Sequence, residues 1–457
     1  MSQFPSLLGQ STELQLMIVS YIATSFPTLL ALNRTSKQLN AITAEFLYAT
    51  ITLRNDEKSG ASVQALSESP HALLVKSIQF EGHIALPPDG YMGANWGQER
   101  IRKPAREDLP DSVEDLLGNI ARYFSSCATL SVEFPFKQRE WEEGFYHFDH
   151  EELLEQAKER EDEEAWRNLM VRVYSSVAAN PSGSITILTL KRMPSIRASC
   201  WDEPPWHNFL AGLQDLSLTL RDADNGAGWC LNTCTGFKAF IWNLDSFFFD
   251  HIPNVQTLSF TTVNPVGLND LQCKAMPWRS SHAPSLKVLK LKEVFIGPQL
   301  LDLLRGSADT IEELHLTECH SGLGRPYVGI HDAPSWADLF TCIVSCSPRN
   351  LVKVEISPLD VLGTNRVYLR EEEKVRLSDI ESEIAEGYGG GEEGDCGVGK
   401  WDHAFVYSGI DSKYGNLFDD GEKMLQRWEE GEDRTAWRKL MRAVEGNRAR
   451  REGSCRI

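Results

Sequence analysis

Eight times along this chain of 457 residues, apolar side chains recur in the spacing apolar-x-x-apolar-x-apolar, and no other feature restricts the fold as strongly. The triplets are Val75/Ile78/Phe80, Cys127/Leu130/Val132, Ile185/Leu188/Leu190, Leu213/Leu216/Leu218, Val255/Leu258/Phe260, Leu286/Leu289/Leu291, Ile311/Leu314/Leu316 and Leu351/Val354/Ile356. The last two positions of each alternate, as side chains do on one face of a β-strand, and the first packs from the incoming turn. Stretches of helical periodicity precede three of them: Trp166/Leu169/Met170/Val173, Leu300/Leu301/Leu303/Leu304 and Trp336/Leu339/Phe340/Ile343. The implied unit is helix, turn, strand. Stacked in series, such units make a curved parallel solenoid with its strands on the concave side. Successive triplets start 52, 58, 28, 42, 31, 25 and 40 residues apart, whereas a regular strand-and-helix solenoid repeats every 20–29 or so. The array is therefore irregular and carries insertions, notably Ala85 to Pro110 and Phe136 to Ala165. The competing interpretation is an irregular α/β domain with parallel strands.

Ahead of the triplets the period changes. Leu14, Met17, Ile18, Tyr21 and Ile22 fall at i, i+3, i+4, i+7 and i+8, one apolar face of a short helix that Ser11 or Thr12 can cap. Pro27 suits the first turn of a second helix whose buried side comes from Leu29, Leu30 and Leu32. Ser36 is placed to cap a third, with Leu39, Ile42, Phe46 and Leu47 at helical spacing. Helices this short cannot bury their faces separately, so they pack together and on something else.

At the other end, Glu386 to Gly399 is an acidic, Gly-rich stretch. Met424, Leu425 and Trp428, then Trp437, Leu440, Met441 and Val444, predict one or two further helices. The phrase Ala436-Trp437-Arg438-Lys439-Leu440-Met441 echoes Ala165-Trp166-Arg167-Asn168-Leu169-Met170, which suggests two helices docking by a Trp–Leu face. The arginines Arg448, Arg450, Arg451 and Arg456 suggest a frayed basic end or, alternatively, a nuclear address.

Charge narrows the function. The net −19 is concentrated in three segments, Arg139 to Glu164 (−9), Asp360 to Lys400 (−6) and Asp419 to Asp433 (−5), while Arg434 to Ile457 carries +6. Such acidity repels nucleic acid and anionic membranes, so neither is an expected partner. No run of about 18 apolar residues occurs, and the N-terminus lacks the basic start of a signal peptide. The ten cysteines are scattered, as reduced intracellular thiols are.

Motifs of chemistry are sparse. Gly394-Asp395-Cys396-Gly397-Val398-Gly399-Lys400 satisfies G-x-x-x-x-G-K, but Trp401 stands where a Ser or Thr would hold magnesium, and acidic residues precede it in place of a buried strand. The pairs His147/His150, Cys230/Cys234, Cys342/Cys346 and Cys319/His320 do not combine into zinc spacing. His150-Glu151-Glu152 approaches a metalloprotease helix, but Leu154 stands at i+4. No catalytic residue, metal or cofactor is expected. Aromatic clusters at Tyr91/Trp96, Phe145-Tyr146-His147-Phe148, Trp201 to Trp206, and Trp242 with Phe247-Phe248-Phe249 suit either recognition loops or sealed solenoid edges.

The first helices resemble a known family. The runs Thr12-Glu13-Leu14-Gln15-Leu16-Met17-Ile18, Leu29-Leu30-Ala31-Leu32-Asn33-Arg34-Thr35-Ser36-Lys37-Gln38-Leu39-Asn40 and Phe46-Leu47-Tyr48-Ala49-Thr50-Ile51-Thr52-Leu53 are similar to an F-box, in the form it takes in filamentous-fungal F-box proteins. Followed by irregular leucine-rich strands, the chain as a whole resembles the F-box/leucine-rich-repeat class. The expected α/β organisation is a three-helix F-box over 1–54, an irregular leucine-rich-repeat-like solenoid over 55–365, and an acidic Gly-rich loop with C-terminal helices over 366–457. The resemblance implies a substrate-recognition subunit of an SCF-type (Skp-cullin-F-box) ubiquitin ligase, not itself an enzyme, in the cytoplasm or nucleus. It would dock on a Skp-family adaptor, and through it a cullin–RING ligase, by Thr12, Glu13, Leu14, Ile18, Leu29, Leu32, Ser36 and Lys37, and hold a protein substrate on its solenoid. F-boxes usually begin with Leu-Pro, and here Gln10-Ser11 stands instead. That departure motivates the alternative, a non-ligase interaction scaffold that keeps an F-box-like cap.

Overall fold

In the computed structural model, residues 10–22, 25–84, 103–135, 151–221, 228–268, 273–322, 333–357, six positions between 371 and 379, and 405–454 are described. The fold is mixed α/β with mostly parallel strands, and the chain divides into two compact units. The first comprises Met1–Pro135, Lys158–Thr189 and Glu203–Gly212; the second comprises Phe136–Ala157, Leu190–Asp202 and Leu213–Ile457. No helix among the described residues is long and apolar enough to cross a membrane.

The first unit opens with three helices, α1 (Thr12–Ile22), α2 (Phe26–Asn33) and α3 (Lys37–Leu47). Strands β1 (Thr50–Arg54), β2 (Ser77–Glu81) and β3 (Thr129–Glu133) then pair in parallel and in chain order. Their register aligns the triplets: Ile51 faces Ile78 and then Leu130, and Leu53 faces Phe80 and then Val132. The array therefore begins one strand earlier than the eight triplets indicate. Tyr48/Ile51/Leu53 has the same spacing, with an aromatic in the first place. Helices α4 (Glu57–Ser67), α5 (Asp111–Gly118), α6 (Ala165–Ala178) and α7 (Pro204–Ala211) pack each on the next. In α6, Leu169, Met170 and Val173 are buried as the period requires. Gly212 ends α7 at a point where a Cβ would lie 2.1 Å from the Gly183 nitrogen, so only glycine permits that approach.

Strand β4 (Ile187–Met193) carries the chain into the second unit. There β5 (Asp215–Leu220), β6 (Thr257–Val266), β7 (Val288–Ile296), β8 (Glu313–Thr317) and, beyond the short β9 (His320–Gly322), β10 (Lys353–Ser357) repeat the design. Leu258, Leu289, Leu314 and Val354 form one rung, and Phe260, Leu291, Leu316 and Ile356 the next. Every first triplet residue, from Val75 to Leu351, is buried. Burying about three large apolar side chains per repeat, each worth about 1.5–3 kcal/mol, makes the array self-consistent.

A hydrogen-bond signature marks seven of the eight triplets. The two residues after the first apolar position donate their N–H groups to one carbonyl just ahead of the preceding strand. In the first unit the acceptors are Ala49, Lys76 and Ala128; in the second they are Gln214, Gln256, Lys287 and Glu312. A second signature follows the strands. Arg192, Glu293 and Glu318 each stand seven residues after a first apolar position, and each is left-handed, with φ of 49°, 58° and 50°. These kinks break the strand alternation and turn Met193, Val294 and Cys319 into the interior.

The C-terminal segment closes the second unit. Helices α8 (Thr235–Trp242), α9 (Pro298–Gly306) and α10 (Trp336–Ser345) flank its strands, and β9 is followed across the sheet by β11 (Tyr407–Ile410) and β12 (Leu417–Asp419). Helix α11 (Gly421–Glu430) stops at Gly431, whose φ of 69° is costly for any residue with a side chain. Helix α12 (Glu432–Ser454) then lies along α10, with Trp437, Leu440, Met441 and Val444 all buried. The echoed tryptophans differ: Trp437 is buried, Trp166 half-buried. Trp336, Phe340, Phe405 and Trp437 form one ring cluster with centroids 5.0–6.1 Å apart.

Helix α12 also finishes the array. The Val352 carbonyl occupies the position that in earlier repeats receives the next strand, and it accepts from Arg448 Nη2 at 3.0 Å. Beside it Asn447, buried, donates Nδ2 to the carbonyls of Pro348 (2.6 Å) and Leu351 (2.8 Å), while Arg451 pairs with Glu312 at 2.8 Å. The basic end is thus not frayed at Arg448 and Arg451: side chains of a helix stand where another strand would be. Arg456 lies outside the described residues.

Candidate docking surface

The three N-terminal helices share a small core of Val19, Leu29 and Ile42, with Leu16, Ile22, Phe46 and Leu47 packed around it. Ser11 caps α1 by accepting from the Leu14 N–H at 3.4 Å, and Ser36 caps α3 by accepting from the Leu39 N–H at 3.2 Å. Gln15, fully buried, reaches the Gln10 carbonyl and accepts from Gln38 Nε2, tying α1 to α3. Tyr48, just past α3, stacks on His71 with ring centroids 4.4 Å apart.

This packing leaves the apolar row of α1 in solvent. Leu14 is 42% exposed, Met17 51%, Ile18 40% and Tyr21 80%, and Phe26 at the start of α2 is 60% exposed. The apolar row of α1, expected to need a surface beyond the three helices, is mostly the outer face of that helix. Val19 and Gln15, one position over, do the packing, because an 11-residue helix against two others presents only a narrow seam. Exposed side chains of this size in one helical row mark an interaction surface.

Of the eight residues expected to contact an adaptor, Leu14 and Ile18 lie in that row, and Thr12, Glu13 and Lys37 are exposed at helix starts. Hydrogen bonds from its own backbone amide and from Ser11 hold the Glu13 carboxyl below its ordinary value. Leu32 is half-buried, and Ser36 is also half-buried, its hydroxyl engaged as a cap. Leu29 is the departure: at 2% exposure it belongs to the core and presents no surface. Met17, Tyr21 and Phe26 were not among the expected contacts, although the first two share the spacing that picked out Leu14 and Ile18.

In the second unit the outward rungs of the sheet are polar. Ser217, Ser259, Lys290, His315 and Glu355 stand side by side on consecutive strands. His315 lies between Glu313 (2.9 Å) and Glu355 (2.8 Å), and a hydrogen bond from Lys353 holds the Glu355 carboxyl low. At the kinks, Lys292 Nζ bridges Glu318 (3.0 Å) and Glu293 (3.7 Å). Burial, then the neighbouring Glu318 carboxyl, raises Glu293 to about 7.

The remaining motifs resolve into structure. Ser408 donates to Asp419 Oδ1 at 2.9 Å and contacts His320 Nδ1 at 2.9 Å. With its O–H directed at Asp419, the hydroxyl faces His320 as an acceptor, the reverse of an activated nucleophile. Burial lowers His320 to about 4. Among the described residues, no group of three or more His, Cys, Asp or Glu side chains converges to hold a metal. Trp201, Trp206, Phe247, Phe248 and Phe249 are core, whereas Trp242 is 53% exposed beneath Lys274, 4.6 Å from its ring centroid. The Gly394–Lys400 motif, His147/His150, Tyr91/Trp96 and Phe145 to Phe148 lie outside the described residues. Comparison with protein-family models and with curated proteins finds no match for this chain.

Proposed function

We propose that this chain is the substrate-recognition subunit of an SCF-type ubiquitin ligase. The observation that carries the reading is the exposed apolar row Leu14, Met17, Ile18 and Tyr21 on α1, with Phe26 exposed at the start of α2. Its occupant is a Skp-family adaptor, which links the chain to a cullin–RING ligase in the cytoplasm or nucleus. The parallel array is an irregular leucine-rich-repeat-like solenoid, and its polar outward rungs hold a protein substrate. The chain contributes position, and the partner machinery contributes the chemistry. The test is capture of a recombinant Skp adaptor by the full chain, against Leu14→Asp and Ile18→Asp. Binding by wild type and loss in both folded variants supports the reading; no capture by folded wild type at low salt sinks it.

One pair of observations favours a second reading, a scaffold outside any ligase. Gln10 and Ser11 stand where an F-box has Leu-Pro and are used locally, Gln10 by Gln15 and Ser11 as a cap; Leu29 is unavailable. Under this reading the row on α1 docks a different helical partner. An adaptor that fails to bind while Ile18→Asp still disrupts a complex isolated with the chain distinguishes it.

A further inference from the structure

Helix α10 ends in two thiols one turn apart. Residues four apart on a helix lie about 5–6 Å from each other at Cβ, and Cys342 and Cys346 share one face at the end of α10. Cys342 is buried, its Sγ 3.8 Å from the Leu301 carbonyl oxygen. Burial pushes this thiol up, and the Arg305 guanidinium, reaching it from α9, opposes that shift. Cys346 is half-buried at an apolar crevice lined by Leu304, Ile311, Ile343, Pro348 and Leu351, so a small oxidant reaches it first.

The backbone here can yield. Cys346 is the last residue before the helix breaks, its N–H donating to the Cys342 carbonyl at 3.2 Å, and Ser347 is left-handed with φ 50°. Two and five residues beyond Cys346 are Pro348 and Leu351, whose carbonyls hold Asn447 of α12. Movement at the thiols thus acts directly on the seam that ends the array.

We propose that Cys342 and Cys346 form a dithiol oxidised by hydroperoxides, and that the resulting disulfide loosens the hold of α12 on residues 348–351. The Cys346 thiolate attacks a peroxide oxygen and breaks the O–O bond, giving a sulfenic acid and, with hydrogen peroxide, one water after protonation. The Cys342 thiolate then attacks that sulfur and displaces a second water. Two thiols lose two protons and two electrons, and the peroxide is reduced to two waters. Bridging needs Cβ atoms about 3.5–4.5 Å apart, closer than one helical turn sets them, so the last turn must give up its helical geometry. Pro348, two residues on, shifts with that turn and its bond to Asn447 weakens.

The experiment treats the full chain with hydrogen peroxide, alkylates the remaining thiols, and maps masses by peptide. A parallel sample is digested briefly with trypsin, reading cleavage at Arg448, Arg450 and Arg451. The expected result is loss of two hydrogens on the segment carrying Cys342 and Cys346, with several-fold faster cleavage, both reversed by dithiothreitol. Cys346→Ser abolishes both effects, and Cys342→Ser instead accumulates a dimedone-reactive sulfenic acid at Cys346. If either variant misfolds, prior alkylation of Cys346 in the wild type replaces it. A segment that keeps its mass, or a disulfide that forms without faster cleavage, overturns the proposal.

Discussion

Asn447→Asp is the sharpest test of how the array ends. Asn447 is 5% exposed and donates one amide nitrogen to two carbonyls, at 2.6 Å and 2.8 Å. Pro348 and Leu351 are themselves buried, so water does not readily replace the donor. Each buried polar group left unpaired costs about 1–3 kcal/mol, which puts Asn447→Ala at about 2–4 kcal/mol once the hydrogen bonds of the unfolded state are allowed for. Asn447→Asp is nearly isosteric but places acceptor against acceptor, and it should cost at least as much. Arg448→Ala removes a bond made by an exposed side chain and should cost about 0–1 kcal/mol. The assay is amide hydrogen exchange on the full chain, because a chain of two units need not unfold in one step. Protection should fall in 351–357 and 436–447 and stay unchanged in β1–β3. Equal protection of β10 in Asn447→Asp and wild type would refute the idea that this side chain pins the end of the array.

Other predictions follow from the same contacts. Leu14→Asp and Ile18→Asp should leave stability within about 0.5 kcal/mol, whereas Leu29→Asp, charged in the trihelical core, should unfold that unit, as circular dichroism will show. Asp433 accepts from Tyr407 at 2.8 Å, from Arg427 at 2.9 Å and from the Ala337 N–H at 2.9 Å. Asp433→Ala should therefore cost about 2–4 kcal/mol by leaving the Ala337 N–H and the Tyr407 hydroxyl without their acceptor, while Arg427 keeps Glu430 and Glu432; Tyr407→Phe should cost about 1, both read by denaturant titration. Because the folded Glu293 value, about 7, lies above its ordinary 4.5, the group favours folding when protonated. Its contribution is lost as pH rises from about 4.5 through 7. Glu293→Gln should flatten stability across that window, by about 1–2 kcal/mol after screening; an unchanged slope would show that Glu293 is already ionised at low pH.

The sequence alone determined the repeat. Strand alternation has a period of two and each triplet ends on it, so Leu258, Leu289 and Leu314 had to share a face wherever the strands paired. The helices at 165–178, 298–306 and 336–345 followed from their 3.6-residue period in the same way. It did not reveal Tyr48/Ile51/Leu53, since a Tyr in the first place blurs the apolar pattern, and it did not single out Val19 and Gln15 as the seam of α1. Periodicity reports that a helix has an apolar row, but whether that row faces the core or solvent depends on which neighbours reach it. Tertiary packing gave the seam to Val19 and Gln15, left Leu14, Met17, Ile18 and Tyr21 outside, and withdrew Leu29 from the surface. The end of the array was equally invisible. Asn447 and Arg448 are separated from Leu351 and Val352 by nearly a hundred residues, and no local spacing announces that two polar side chains on a helix will meet carbonyls on a distant strand. Hydrogen-bond demand at a sheet edge is a property of the assembled strands, so only the folded chain decides which residues answer it.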